Sequence, residues 1–134
     1  MSDHDSALDL ARRIREGSTT ASAVVEATLA RIDALDRHIN AFTDITATRA
    51  RAEAADIDAR RARGEVLPPL AGVPYAVKNL FDVEGLRTRA GSIINDDLPP
   101  ARADAPLVAR LRAAGAVLLG ALNMDEYAYG FTTE

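Results

Sequence analysis

Along the first half of the chain, apolar residues return every three or four positions, the spacing that turns one helix face toward a core. Ala7, Leu10, Ala11 and Ile14 follow it over Ala7–Glu16, and Gly17 supplies a stop. Ser18, Thr19 and Thr20 offer caps for a second helix whose stripe is Val25, Leu29, Ile32 and Leu35, fraying near Asp36. The sequence INAF at 39–42 reads as a link. Residues 46–63 are dense in alanine and charge, with Ala50, Ala54 and Ile57 on one side and Gly64 after the end. Asp56 and Arg60 have the spacing of a helical ion pair, and one isoleucine is too little for a coiled-coil seam, so a surface helix is expected.

The pattern changes at EVLPPLAG. Pro68 and Pro69 end helical character and feed an apolar run with Val73, Tyr75, Val77, Leu80 and Phe81, which predicts a strand with Pro74 near its start or on a sheet edge. Residues 82–103 read as loop, and Asp96 and Asp97 as a surface turn. Asp104 is the expected cap of a helix over 105–114 that tolerates Pro106 and carries Leu107, Val108 and Leu111 on one side. Gly115 closes it, and AVLLG is a short continuous strand. Strand, helix and strand in that order predict a right-handed parallel crossover and an α/β class. The expected organisation is an N-terminal helical segment, 1–66, and the incomplete start of an α/β core, 67–134. Two strands are too few to be stable alone, and their exposed edges invite aberrant pairing.

With 134 residues the chain suits one modest domain, and its apolar content is largely alanine. A net charge of -4 without a long basic block argues against nucleic acid. Arg60, Arg61 and Arg63 fit the cationic end of a helix. Without cysteine, and with His4 and His38 far apart, no zinc site is expected. The acidic start lacks signal-peptide regions and no apolar run nears the ~18 residues of a membrane span, so a cytoplasmic protein with no membrane contact is the expectation.

Lys78 is the odd residue, a charge inside the apolar stretch GVPYAVKNLFDVEG at 72–85. Held in apolar surroundings without an acidic partner, a lysine drops from its usual ~10.4, and at about 7–8 it is a competent general base. The plainer alternative is a solvent-facing lysine on an edge strand, or one paired with Asp82 or Glu84, and from composition alone that alternative is favoured.

Two separated blocks change the weighing. LAGVPYAVKNLFDVEGLRTRAGS, followed by DAPLVARLRAAGAVLLGALNMDEYAYG, resembles the N-terminal third of the amidase signature family, and the preceding helices with INAF also match its opening. Within the family, RRARGEVLPPLAGVPYAVKNLFD, LPPARADA and NMDEYAYGFTTE look most like the carboxybiuret hydrolases of bacterial s-triazine degradation. The A subunit of glutamyl-tRNA amidotransferase is similar.

The resemblance implies the amidase signature fold, helices on a mixed β-sheet, truncated before its Gly/Ser-rich region. It also implies hydrolysis of linear amide bonds by a serine, cis-serine, lysine triad with no cofactor and no metal. Lys78 carries over as the base, which takes the cis-serine's proton while the cis-serine takes that of the nucleophilic serine. Both serines and the oxyanion hole belong to blocks beyond this sequence, so the 134 residues alone are expected to be inactive. Ser92 is expected to serve loop structure, and Ser18 and Ser22 to start helices. Asn123, Asp125 and Glu126 do not form a metal set, and Tyr127 and Tyr129 are candidate substrate contacts. The partners implied are a small-molecule amide, an oligomeric assembly and a small helical subunit. A short, non-catalytic docking module is the rival from another class.

Overall fold

The computed structural model describes residues 6–130, so His4 and the closing FTTE lie outside the described residues. The first helix, α1 (Ala7–Glu16), starts where the Ser6 hydroxyl accepts the Asp9 amide. It ends at Gly17 with φ 81°, a conformation that glycine takes without strain. Ser18 belongs to this end, its hydroxyl donating to the Arg13 carbonyl.

Thr20 caps α2 (Ala21–Ile39) by accepting from the Ala23 amide. A longer-range cap joins it: the Asp58 carboxylate accepts the Ala21 and Ser22 amides at 2.8 and 3.0 Å, satisfying donors that the helix itself leaves free. The helix runs three residues past Asp36, whose carboxylate accepts the Ala41 amide at 2.7 Å and the Phe42 amide at 3.3 Å. Asp36 therefore organises the corner beyond the helix instead of ending it.

That corner feeds β1 (Phe42–Ile45), a strand that the INAF link and the short polar-apolar stretch FTDI did not announce. Then come α3 (Ala47–Ala62), with Ala50, Ala54 and Ile57 buried as its spacing predicts, and β2 (Pro74–Lys78). Arg60 pairs with Glu65 at 3.1 Å where Asp56 was expected. Pro74 opens β2 as anticipated, but Leu80 and Phe81 fall in a turn beyond it. Next are α4 (Pro106–Ala113) and β3 (Val117–Leu122). Asp104 does not cap α4, because its carboxylate is held elsewhere, as shown below.

The sheet has three strands in the order β1-β3-β2, where two were expected, and it is mixed: β2 runs parallel to β3 and β1 antiparallel. The central place of β3 explains its unbroken apolar sequence, since a strand covered on both faces has no polar side to show. Val117 and Leu119 join one core with Leu10, Ile14, Val25, Leu29, Ile57 and Leu67. Leu118, pointing the other way, joins Val77, Val83 and Val108 in a second. The first core draws on both sides of residue 66, and the helical segment before it contributes a strand. At Gly120 the β1 chain comes so close that a side chain would run into the Asp44 carbonyl and the Phe42 ring.

Candidate active site

Because β2 and β3 are parallel, their carboxyl ends lie side by side, with Lys78 in register with Leu122. Ligand sites in open α/β sheets form at such ends. The ladder continues one bond further, the Asn79 amide donating to the Leu122 carbonyl at 3.0 Å. Phe81 N–H then returns to the Lys78 carbonyl at 3.1 Å and turns the chain.

Lys78 stands at this mouth with its side chain 52% exposed, the solvent-facing edge-strand position that composition alone favours and not the apolar burial that a depressed lysine needs. Nor does it pair with Asp82 or Glu84. Its Nζ lies 4.0 Å from Oδ1 of Asp125, a carboxylate only 13% exposed. The physical reason is position. Lys78 is the last residue of an edge strand and points away from the apolar cluster that holds Val77, and nothing among the described residues closes over it. Asp82 is occupied by the Thr88 hydroxyl.

Asn79, which sequence reasoning passed over, is among the most tightly held side chains here, at 2% exposed. Its Oδ1 accepts the Arg89 amide at 2.8 Å, and its Nδ2 donates to Thr43 Oγ1 at 2.6 Å and to Asp44 Oδ2 at 3.3 Å. Its carbonyl accepts the Ala90 amide at 2.8 Å. The signal available in the sequence was a single amide in an apolar stretch, masked by the charge beside it.

The loop that Asn79 grips is packed on the segment carrying Asp125. Tyr127 N–H donates to the Ala90 carbonyl at 2.8 Å, and Gly91, at φ 69°, lies so close to the Met124 and Asp125 carbonyls that a side chain there would collide with them. Ser92 is buried and its hydroxyl donates to Glu126 Oε1 at 2.5 Å, a bond that joins this loop to the same segment. Tyr127 is half-exposed and its phenol meets Asn95; Tyr129 is almost wholly exposed. Asp96 lies at the end of the short turn Ile93–Asn95 and pairs with Arg89 at 3.1 Å.

A shallow depression of about 310 Å³ opens beside these strand ends, lined by Thr43, Arg89, Ser92, Ile93, Asn123 and Met124. Lys78 is not part of its wall. A larger hollow of about 420 Å³ lies toward the start of β3, bounded by Arg49, Glu53, Arg60, Arg112 and Gly115. Its charges answer one another: Arg49 grips Asp104 with both terminal nitrogens at 2.7 and 2.8 Å and Glu53 at 2.8 Å. The Arg49 hydrogen bonds hold the Asp104 carboxyl below its ordinary value, and burial pushes the nearby Tyr75 phenol up to about 12. Among the described residues, no three His, Cys, Asp or Glu side chains converge to hold a metal ion, and no helix is long and apolar enough to cross a membrane.

The comparisons with known proteins agree with one another. The sequence model of the family described as Amidase matches residues 23–134. The AtzE subunit of 1-carboxybiuret hydrolase from Pseudomonas sp. (strain ADP) is 68% identical over 127 residues, 95% of this chain and 28% of that protein. The A subunit of glutamyl-tRNA(Gln) amidotransferase from Streptomyces avermitilis is 46% identical over 129 residues, 96% of this chain and 25% of that protein. An inhibitor-bound structure of an s-triazine catabolic enzyme in a vestigial protein complex superposes with a TM-score of 0.95 at 67% identity, covering 97% of this chain and 28% of that one. The chain thus spans little more than a quarter of the length of the relatives it matches.

Proposed function

This chain belongs to the amidase family, and from that premise we propose that it is the lysine-bearing portion of an amidohydrolase of the 1-carboxybiuret hydrolase kind. The observation that supports the substrate class is the 68% identity to the 1-carboxybiuret hydrolase subunit, against 46% to the A subunit of the amidotransferase. The second figure keeps a glutamine amidase as the alternative.

In this reading Lys78, as the neutral amine, takes a proton through a cis-serine from the nucleophilic serine. That serine attacks the amide carbon, the C–N bond breaks and the amine departs with the proton. Water then releases the acyl group from the serine. None of the described serines fits the nucleophile's place. Ser6 and Ser18 serve α1, Ser22 lies at the start of α2, and Ser92 is engaged with Glu126. Both serines are therefore supplied by the remainder of a longer protein, and the 134 residues alone hydrolyse nothing. The open mouth around Lys78 is the face that such a remainder would cover. A small helical partner subunit is part of the proposal, supported by the relatives' being subunits and by the complex reported for one of them. No cofactor or metal enters it, and Tyr127 and Tyr129 stay candidate substrate contacts.

The test is Lys78→Ala in a full-length protein carrying this segment, assayed for ammonia release from 1-carboxybiuret, biuret, allophanate and glutamine. Turnover of the preferred substrate should fall by about 100-fold or more, the scale of a lost general base. Stability should change by less than about 1 kcal/mol, because the side chain is half-exposed and its ion pair long. Retained turnover would refute the assignment.

A further inference from the structure

Resting on Lys78 as the base, we infer that Asn79 is a positioning residue that fixes where the lysine amine stands. The amine is carried on a long, half-exposed side chain at the last position of an edge strand, the place in a sheet where backbone direction is least constrained. What constrains it is the next residue. Asn79 uses its backbone amide on β3, its Oδ1 and carbonyl on the amides of Arg89 and Ala90, and its Nδ2 on Thr43 and Asp44 of β1. One side chain thus ties β2 to β1, with β3 lying between them, and to the loop over the strand ends.

The loop matters because it carries the tie to the lysine's ionic partner. Ala90 accepts from Tyr127 N–H, Gly91 packs on the Asp125 carbonyl and Ser92 holds Glu126. Asn79 therefore sets two things together, the direction of the β2 end and the distance between Lys78 and Asp125. Its amide has nearly every bond it can make, which is the condition under which a buried polar network rigidifies instead of loosening a structure. Side chains of other kinds cannot copy it: leucine would fill the space without a bond, and serine would reach one neighbour and lose the others. A general base needs its proton partner within hydrogen-bond reach, so a displacement of about 1 Å at this anchor reduces turnover without weakening substrate binding.

The experiment uses a full-length protein carrying this segment, with Asn79→Ala, Thr43→Val and Lys78→Ala, and reads kcat and KM for ammonia release from 1-carboxybiuret per folded molecule. Thr43→Val removes one arm of the network from β1 and leaves Asn79 in place. The expected result is a kcat lowered about 10-fold or more by Asn79→Ala and about 3-fold or more by Thr43→Val, with KM within about 3-fold, the split that marks an interaction felt only at the transition state. If Asn79→Ala does not fold, Thr43→Val decides alone. Folded variants with kcat within about 2-fold of the parent, or with losses confined to KM, overturn the inference. A dead Lys78→Ala protein beside a normal Asn79→Ala protein overturns it while leaving the lysine reading intact. An active Lys78→Ala protein overturns both.

Discussion

The clamp between Arg49 and Asp104 gives the sharpest test of how the loop after β2 is held to the helical layer. Asp104→Ala removes two charge-assisted bonds of 2.7 and 2.8 Å and the acceptor for the Glu84 amide at 2.9 Å. Breaking a buried pair costs about 3–5 kcal/mol. Here Arg49 keeps Glu53 at 2.8 Å and is 19% exposed, so the expected loss is lower, about 2–3 kcal/mol. Urea unfolding of a full-length protein carrying this segment, followed by circular dichroism, should show the midpoint falling at unchanged slope. Asp104→Asn retains an acceptor and should lose about half as much. The sign of the pH dependence follows from the carboxyl's lowered folded value. Its stabilisation is fully present above the unfolded value, ordinarily 3.8, and is lost as pH falls through the lower folded one. The gap between parent and Asp104→Asn should therefore be flat from about pH 5 to 8 and close below about pH 4. A gap under about 0.5 kcal/mol at pH 7, or one that persists undiminished at pH 2, would show that the clamp does not hold the loop.

Asp58→Ala should cost about 1–2 kcal/mol and expose the Ala21 and Ser22 amides to faster hydrogen exchange, since both donate to that carboxylate; unchanged exchange at these two sites would contradict the cap. Ser92→Ala should cost about 1.5–3 kcal/mol through its bond to Glu126, and a fluorophosphonate should leave Ser92 of this chain unlabelled; a serine adduct there would reverse its structural assignment. Lys78 is the sole lysine of the sequence, so one amine besides the N-terminus reports on the site. An N-hydroxysuccinimide ester should reach and acylate it in the folded chain, and strong protection from labelling would contradict the exposed position.

The helices were legible because each buries a stripe that repeats every three or four residues, and burial is what that period encodes. Ala50, Ala54 and Ile57 are inside as their spacing requires, and Thr20 and Gly17 sit at the helix ends. Strand β3 was legible for the opposite reason, a run with no polar member. Strand β1 was not. Its four residues mix Phe and Ile with Thr and Asp, too short for a period, and it exists because β3 offers an edge that approaches within contact at Gly120. Caps drawn from sequence neighbours also misled where a distant partner competed. Asp104 stands one residue before the N-cap of α4, yet a bidentate arginine from α3 outweighs the modest gain from a helix amide.

The candidate site separates two properties that the sequence runs together, the chemical identity of a residue and its surroundings. The apolar stretch around Lys78 allows a buried base as well as a solvent-facing lysine, because a run of residue types says nothing of where the sheet stops. At the end of an edge strand Val77 packs with Val83, Val108 and Leu118 on one face, while Lys78, on the other, stands in the open, 4.0 Å from a carboxylate. The apolar environment that a lysine base requires is thus not made by the strand that carries it. It has to be made by whatever covers the strand ends, while the strand contributes direction. On the proposed role of Lys78, Asn79, buried and bonded to three elements, supplies that direction, and the dry environment is left to whatever packs over the strand ends.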